Sequence, residues 1–526
     1  MTNMKIDNII GGKDINLSKQ YFKVKSQFYK NFELEISDSN DMEVSIAISK
    51  VKQSWEETQQ LSFNDRIRII NSATKELNFT KDEIDSIVKL IGMPITYIKE
   101  QINQIPIIMN GMWSIISNRY GFKYGKLGLD FIEDKNFHKI EFRTPRKGFV
   151  YAITPGNDPR ITSLVITILV LLGIPGIIKP SKTDSIIPQK IVRKIIDAGY
   201  PKNSLALLFF NSEKEDSKKL HFKICDEANI IWPFGDDETV NNLIRFEEKR
   251  VLNFNKFVKY SIDNPNESIN EFINKINKIN SMDDYLINYR IDHFSSKTII
   301  KHTSGKCAGL LDTDFDLNKA AKLILDSSMK YPIGCNSMKS VFVVETIFNK
   351  FVDILKEEMK KIEKYTYDPL DQKTKVGYTD QKTVIFLKKR LDELKRLNLI
   401  SILCGGKFIS NIQITPTLVS TNDISSELLI NEIPSYILCL NKVSSFNEGV
   451  DRINQISRNN PKLAVSYFTN NLENMKLQVN AHHLKINYLT TEIDVIIHEG
   501  NDYIMQLTKP YVVNINKIGL KGHPYR

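Results

Sequence analysis

The stretch Tyr331-Pro332-Ile333-Gly334-Cys335-Asn336-Ser337 is the part of the chain from which the fold is first inferred. The apolar residues before it, from Leu317 to Met329, recur with helical spacing, and the run Ser340 to Val344 after it has the composition of a buried strand. The thiol of Cys335 is therefore expected on a turn between two buried elements, where a rigid scaffold usually holds a nucleophile. A lone cysteine before a strand is more often an inert core thiol, so the assignment depends on the rest of the chain.

The composition is that of an ordinary globular protein. The chain has 526 residues, enough for two or three domains, with 41% hydrophobic and 25% charged residues. Its five cysteines lack the close spacing of a disulfide or zinc framework, which indicates a reducing compartment and no metal site. Because the N-terminus also lacks the pattern of a signal peptide, we expect a cytoplasmic protein.

The longest apolar run, Leu164 to Ile178, contains Gly173 and Pro175 and is too short to span a bilayer. It predicts a buried helix that turns into a buried strand, without membrane insertion. The formal net charge of +10 comes from scattered lysines. Nucleic-acid binding is not expected, because no dense basic run supplies the phosphate contacts on which it depends. A basic surface also favours anionic substrates or a charged carrier protein.

From Phe149 onwards, strand-like and helix-like segments alternate, which predicts a parallel sheet covered by helices. A second α/β unit begins near Lys297 and contains the Cys335 loop. The tail is rich in strand-forming residues, with runs at Ile493 to Ile497 and Tyr511 to Val513. The chain contains no GxGxxG motif, so no standard dinucleotide fingerprint is predicted.

Together with the Cys335 loop, three earlier pieces resemble the aldehyde dehydrogenase superfamily in their order and spacing: Thr154 to Pro159, Lys179-Pro180-Ser181 and Thr298 to Lys306. The resemblance covers nearly the whole chain, because Gly405-Gly406-Lys407, Ile414 to Val419 and Asn431 to Pro434 also fall in the family's order. Each motif alone is weak evidence, whereas their ordered occurrence is strong evidence.

The resemblance implies an α/β fold with three parts. Residues 1–122 and 149–296 would form a nucleotide-binding α/β domain, and residues 297–475 a catalytic α/β domain. Residues 123–148 and 476–526 would form a small β oligomerisation arm, which implies a homodimer or homotetramer.

Two branches of the superfamily are more similar than its typical member. The segments Pro155 to Pro159, Lys179 to Ser181 and Trp232 to Glu238 resemble the fatty-acyl reductases of the bacterial luciferase system. The segment Ile300 to His302, with Gly305, and the segment Pro332 to Asn336 resemble γ-glutamyl phosphate reductase. Both branches reduce activated acyl groups to aldehydes.

The resemblance implies roles for three catalytic residues. Cys335 would be the covalent nucleophile, and the amide of Asn157 would stabilise the oxyanion of the tetrahedral intermediate. His302 stands where hydrolytic members have the glutamate that activates water against the enzyme thioester. Its presence disfavours hydrolysis, so that the acyl group passes to another thiol or to phosphate; alternatively His302 is itself the base, or a histidine hydrogen-bonded behind the site.

Cofactor binding is assigned to the ends of two strands. Thr154 and Pro155 end the first, and Lys179, Ser181 and Lys182 follow the second. In typical members a glutamate three residues after the lysine holds the adenosine ribose, and here Lys182 replaces it. A cation at that position favours NADP(H) over NAD(H), because it can pair with the 2′-phosphate.

Two further residues are assigned to the cofactor. Gly235 begins a turn into a predicted helix whose N-terminal N–H groups would face the pyrophosphate, although Asp236 and Asp237 would repel it. Glu432 matches the glutamate that holds the nicotinamide ribose. The Phe-Gly-Pro that follows it in the family is replaced by Pro434-Ser435-Tyr436, so the nicotinamide pocket must differ.

These assignments predict an NADPH-dependent reductase of an acyl thioester carried on coenzyme A or on a carrier protein. The alternatives among enzymes are an acyl-phosphate reductase of the γ-glutamyl phosphate reductase type and an aldehyde-oxidising dehydrogenase. An alternative of another class is a catalytically silent member that assembles with partner enzymes.

Overall fold

The computed structural model describes residues 4–123, 126–132, 137–211, 213–235, 238–245, 297–303, 305–363, 368–491, 497–498 and 501–516. The strands of these segments are β1 (Lys5–Ile6), β2 (Asn8–Ile10), β3 (Lys13–Ile15), β4 (Tyr21–Lys25), β5 (Glu33–Ser37), β6 (Phe122–Lys123), β7 (Lys126–Ile132), β8 (Phe137–Pro145), β9 (Val150–Thr154), β10 (Gly176–Pro180), β11 (Leu205–Leu207), β12 (Ile230–Pro233), β13 (Thr298–Ile299), β14 (Cys307–Leu311), β15 (Met338–Val344), β16 (Ser401–Cys404), β17 (Phe408–Ser410), β18 (Gln413–Ile414), β19 (Thr417–Ser420), β20 (Ile437–Val443), β21 (Lys462–Phe468), β22 (Ala481–Ile486), β23 (Ile497–His498), β24 (Asn501–Asp502) and β25 (Thr508–Asn516).

Helices cover both large sheets and connect their parallel strands. They are Asp41–Gln53, Trp55–Gln60, Phe63–Lys75, Lys81–Ile91, Ile95–Tyr120, Pro159–Leu172, Ile186–Asp197, Glu215–Glu227, Leu317–Ser328, Glu345–Glu363, Gln381–Arg396, Glu427–Ile430, Phe446–Ile456, Leu472–Met475 and Tyr503–Leu507, and residues 238–245 are also helical.

The first sheet has the order β13-β12-β9-β10-β11-β2-β3. Its central strands are parallel, which confirms the prediction drawn from the alternation after Phe149. The register pairs Thr154 with Pro180 and Ile153 with Pro233, so β9, β10 and β12 end at the same edge of the sheet. The residues that follow these strands therefore meet at that edge, as ligand-binding residues do in open parallel sheets.

The apolar run from Leu164 is a buried helix that turns into a strand, as predicted. The side chain of Asp158 caps the helix Pro159–Leu172 by accepting a hydrogen bond from Arg160, and Pro159 supplies a first helical residue that needs no hydrogen bond. Gly173, with φ of +68°, ends the helix in the left-handed conformation. Within the described segments, no helix combines the length and apolar character needed to cross a membrane.

The second sheet has the order β16-β19-β20-β15-β14-β21-β22, and only the pair β16 and β19 is antiparallel. The helix Leu317–Ser328 connects β14 with its parallel neighbour β15. The predicted helix and strand on either side of Cys335 are thus present, and the cysteine loop lies at the amino end of the buried strand β15.

A four-stranded antiparallel sheet, in the order β25-β8-β7-β6, is formed by residues predicted for the arm together with Phe122. The predicted limits differ from the sheets in three places, the first being Phe122, which was predicted for the nucleotide-binding domain but pairs with Leu127 in this sheet. β13 pairs with β12, so the first sheet extends past residue 296, and β22 pairs in parallel with β21, so it belongs to the second sheet rather than to the arm. The predicted strand at Tyr511 to Val513 lies in β25, whereas residues 493–496 of the other predicted strand lie outside the described residues.

Candidate active site

The cysteine loop is bonded to the first sheet at the end of β9. The amide of Asn157 donates a hydrogen bond of 2.6 Å to the carbonyl of Ile333, and the hydroxyl of Tyr331 donates to the carbonyl of Asn157. Cys335 itself is half-buried. Asn157 was predicted to bind the oxyanion, whereas in the structure one of its amide hydrogens binds the loop that carries Cys335.

A buried lysine also binds the cysteine loop. The ammonium of Lys339, in β15, donates to the carbonyls of Pro332 and, at 3.2 Å, Ser435. Burial lowers the pKa of Lys339 to about 7, while the carboxylate of Glu432 opposes this decrease. Lys339 was not among the predicted site residues, although a lysine inside an otherwise apolar strand was a signal that the sequence offered.

His302 lies beside the thiol. Its Nε2 is 3.8 Å from Sγ of Cys335, and its Nδ1 is 2.7 Å from the hydroxyl of Tyr503. The imidazole is only 7% exposed, and burial lowers its pKa to about 3, so the ring is neutral at physiological pH. The neutral imidazole thus lies between the thiol and the hydroxyl of Tyr503, which is the geometry expected of a nucleophile, a base and a group that orients the base. The catalytic roles predicted for Cys335 and His302 stay predictions.

An aromatic cluster packs around this histidine. The rings of His302 and Phe234 have their centroids 4.2 Å apart, and Trp232 packs against Tyr503 with centroids 4.6 Å apart. Tyr503 is 1% exposed. The imidazole is therefore held among buried aromatic rings.

A cleft of about 300 Å³ opens at the edge of the first sheet where β9, β10 and β12 end. It brings together six of the seven residues predicted for the cofactor: Thr154, Pro155, Lys179, Ser181, Lys182 and Gly235. Burial, followed by the charge of Lys182, lowers the pKa of Lys179 to about 8. The cleft thus combines two basic side chains with three hydroxyl-bearing residues, Thr154, Ser181 and Thr239, and such groups are suited to the phosphate and ribose groups of a nucleotide.

Lys182 forms an ion pair that was not predicted from the sequence. Its ammonium lies 2.7 Å from the carboxylate of Glu213, and both side chains are exposed at the mouth of the cleft. The bond lowers the pKa of Glu213. Typical family members were expected to have a glutamate in the place of Lys182. Here the carboxylate beside Lys182 comes instead from the segment after β11. Exposed pairs of this kind contribute only about 0–1 kcal/mol, so a bound phosphate can compete with Glu213 for the lysine.

Gly235 connects the cleft with the histidine. Its backbone N–H donates to the carbonyl of His302 at 3.2 Å, and a parallel bridge pairs Phe234 with His302. The helix predicted to follow is present at residues 238–245. Asp236 and Asp237, predicted to oppose a phosphate, lie outside the described residues.

Glu432 lies apart from the other predicted cofactor residues, on the side of the cysteine loop. Its carboxylate accepts a hydrogen bond of 2.6 Å from the backbone N–H of Gly305. Gly305 in turn contacts the backbone of Cys335 so closely that a Cβ atom at residue 305 would lie 1.5 Å from the Cys335 carbonyl oxygen. In the structure Glu432 therefore holds the backbone at Gly305, which contacts Cys335, and its predicted contact with the nicotinamide ribose stays a prediction.

Comparisons with known proteins identify the class of this fold and site. The profile of the Aldehyde dehydrogenase family matches residues 16–220 and 289–500. The chain therefore belongs to the aldehyde dehydrogenase family, whose members are oxidoreductases acting on aldehyde groups, and both the resemblance and the fold class predicted from the sequence are confirmed.

Similarity to individual curated proteins is lower and partial. The chain is 24% identical over 185 residues to a γ-glutamyl phosphate reductase of Prochlorococcus marinus, which is 35% of this chain and 37% of that protein. It is 27% identical over 181 residues to the chloroplastic aldehyde dehydrogenase family 3 member I1 of Arabidopsis thaliana, 33% of this chain and 31% of that protein. The aligned part thus spans about a third of the length of these relatives.

Similarity to solved structures covers the whole fold. The NADP-dependent glyceraldehyde-3-phosphate dehydrogenase of Bacillus halodurans, complexed with NADP, has a TM-score of 0.75 at 16% identity, with 98% of this chain and 99% of that chain covered. An NAD-dependent aldehyde dehydrogenase of Sinorhizobium meliloti has a TM-score of 0.76 at 15% identity, with 99% and 96% covered. Members of this fold bind NAD(P), and these two are named for different forms of the cofactor.

Proposed function

We propose that the protein reduces an activated acyl group, carried as a thioester on coenzyme A or on a carrier protein, to an aldehyde with NADPH. The acyl group passes through a thioester on Cys335. The pairing of Cys335 with a neutral, buried His302 carries this proposal.

That pairing favours acyl transfer over hydrolysis. A carboxylate in the place of His302 would hold an attacking water, as the resemblance implies for hydrolytic members. The imidazole instead lies 3.8 Å from the thiol and packs against Phe234, and it offers no carboxylate to hold a water. The acyl-enzyme should therefore persist until hydride or a thiol reaches it.

The acyl transfer needs only residues of this chain. Sγ of Cys335 forms a bond to the carbonyl carbon while its proton moves to His302, and the bond from that carbon to the carrier sulfur breaks. The proton then passes to the departing thiolate. An amide has two N–H groups, and since Asn157 gives one to Ile333, the proposal assigns the other to the oxyanion. A donor of this kind is typically worth about 2.7–4 kcal/mol of transition-state stabilisation.

The residues of the cleft fit a nicotinamide dinucleotide. Lys179, Ser181 and Thr154 would hold its ribose and phosphate groups, and Lys182 would pair with a 2′-phosphate in place of Glu213. Gly156, which also lines the cleft, has no room for a side chain, since a Cβ there would lie 1.9 Å from the hydroxyl of Thr183. When bound, the dinucleotide supplies the hydride that reduces the thioester.

Intact-protein mass spectrometry tests this proposal. The protein is incubated without reductant with acyl-coenzyme A, acyl-carrier protein, acyl phosphate or free aldehyde, and Cys335→Ala serves as control. We expect an added mass equal to the acyl group with a thioester donor, absent from Cys335→Ala, and aldehyde release on addition of NADPH. No acylation by any thioester would overturn the proposed substrate class.

An acyl-phosphate reductase is the second candidate. It is supported by the γ-glutamyl phosphate reductases among the relatives, at 24% identity for the one from Prochlorococcus marinus. Mass spectrometry with the same donors distinguishes this function from thioester reduction. Acylation of Cys335 by acyl phosphate but not by acyl thioesters would favour the acyl-phosphate reductase. Rapid modification by free aldehyde with NADP would favour an aldehyde-oxidising dehydrogenase.

A catalytically silent member is the alternative of another class. Trp232 packs against Tyr503 and Phe234 near the candidate site, so its fluorescence reports binding in this region. We expect quenching by NADPH, whereas a silent member should show neither quenching nor acylation.

A further inference from the structure

We propose that Tyr503 is a positioning residue for acyl transfer: its hydroxyl holds the imidazole of His302 with Nε2 directed at Sγ of Cys335. This inference rests on the proposed function for its reaction, but its geometry involves only side chains of this chain. The hydroxyl lies 2.7 Å from Nδ1, and Nε2 lies 3.8 Å from the sulfur.

The two ring nitrogens of a neutral imidazole have opposite roles, since one carries the hydrogen and the other accepts. When Nδ1–H donates to the tyrosine oxygen, Nε2 presents its lone pair to the thiol. A tyrosine hydroxyl can donate or accept, and the proposal takes the tautomer in which Nδ1–H donates to Tyr503. In that tautomer Nε2 can take a proton from Cys335, and the tyrosine oxygen stabilises the positive charge that develops on the ring.

Tyr503 is held in place by its neighbour Asp502 and by the ring of Trp232. Asp502 caps the helix Tyr503–Leu507 by accepting from Met505 at 3.0 Å, and it also forms an ion pair of 3.0 Å with Arg119. The ring packs on Trp232, with centroids 4.6 Å apart. The hydroxyl thus occupies a fixed point before any substrate arrives, which is what precise positioning of a base requires.

The proton balance of the step follows from this geometry. As the bond from Sγ to the acyl carbon forms, the thiol proton moves to Nε2 and the imidazolium donates through Nδ1 to Tyr503. As the bond to the carrier sulfur breaks, Nε2 returns the proton to the leaving thiolate. No electrons are exchanged in this step, and Tyr503 keeps its own proton throughout.

Tyr503→Phe removes the hydroxyl and keeps the ring that fills the core. We expect alkylation of Cys335 by iodoacetamide to slow on the order of tenfold, as part of the roughly 10²–10⁴-fold that a positioned base contributes. Peptide mass spectrometry would follow each cysteine separately. Cys404, the other half-buried thiol, serves as reference in the same sample, and its rate should not change.

A second substitution shows whether Tyr503 acts through His302. In a His302→Ala background, Tyr503→Phe should cause no further loss, because the base that it positions is already gone. An additive loss would mean a structural effect and would overturn the inference. Tyr467→Phe is the matched control, because it removes the hydroxyl of another buried tyrosine, in β21, which donates to the carbonyl of Leu477.

The inference and the proposed function fail in different ways. Wild-type alkylation of Cys335 in Tyr503→Phe would overturn the positioning role whatever the acyl donor is. If instead no thioester acylates the wild-type protein but alkylation still depends on Tyr503 through His302, the proposed substrate fails and the positioning role stands.

Discussion

Replacing Gly305 with alanine should displace Cys335 while leaving its side chain chemically unchanged. The new Cβ would lie 1.5 Å from the carbonyl oxygen of Cys335 and 2.3 Å from its carbonyl carbon, whereas ordinary contact begins at 3.4 Å. The two backbone segments must therefore separate by nearly 2 Å. Both neighbours of the clash are backbone atoms, so no side chain can rotate away to relieve it.

Gly305 cannot easily give way, because both of its backbone groups are engaged. Its N–H donates to Glu432 at 2.6 Å, and its carbonyl accepts from Leu463 at 2.6 Å. We expect the cysteine loop to move instead, which takes Sγ of Cys335 out of reach of His302. A misplacement of about 1 Å can cost roughly 10²-fold in rate, so the loss should be at least of that order.

The assay is the rate of Cys335 acylation or alkylation, followed by peptide mass spectrometry, with circular dichroism to verify folding. Gly111→Ala is the matched control, since a Cβ there meets nothing within 4 Å and the residue lies inside the helix Ile95–Tyr120. That control should react at the wild-type rate and gain about 0.5–1 kcal/mol of stability from the helix preference of alanine. A Gly305→Ala protein that folds and reacts at the wild-type rate would refute the reasoning.

Three further outcomes are expected. Cys335→Ala should abolish turnover and leave NADPH affinity within a few-fold, because the cleft belongs to the first sheet; retained turnover would exclude a covalent mechanism. Lys182→Glu should lower the affinity for NADPH relative to that for NADH in fluorescence titrations, and Glu213→Gln should raise it by releasing the lysine. A wild-type protein that already prefers NADH would show that Lys182 does not bind the 2′-phosphate. His302→Glu should speed the release of free acid from acyl-Cys335 by about 10²–10⁴-fold where a water fits beside the thioester. If the wild-type protein releases free acid as fast as it releases thiol products, His302 is itself a base for water, and aldehyde oxidation is favoured.

The parts of the fold that follow from local pattern were predicted from the sequence. The buried helix before Gly173, the strand β10 after it and the elements on both sides of Cys335 all have a periodicity or a stop signal within a few residues. Parallel pairing then places strand ends at one edge, which is why residues as distant as Thr154 and Gly235 line the same cleft.

The contacts that tune the site could not be predicted in this way. Tyr503 reaches His302 from 201 residues further along the chain, and Glu213 reaches Lys182 from another segment, and neither has a local signature. The amide of Asn157 was expected to face the cleft because a turn places it there, but the carbonyl of Ile333 competes for it once the two sheets meet. Such bonds depend on packing between distant elements, which one sequence does not encode in any short window.

The separation of His302 from Tyr503 also orders events in time. A ribosome that adds about 5–20 residues per second needs roughly 10–40 s to travel the 201 residues between them. Cys335 is made 33 residues after His302, so the nascent chain carries Cys335 without Tyr503 for the remaining 168 residues (201 − 33), or roughly 8–34 s. By the proposed role of Tyr503, the thiol of Cys335 gains its reactivity only after the segment bearing Tyr503 has emerged and docked.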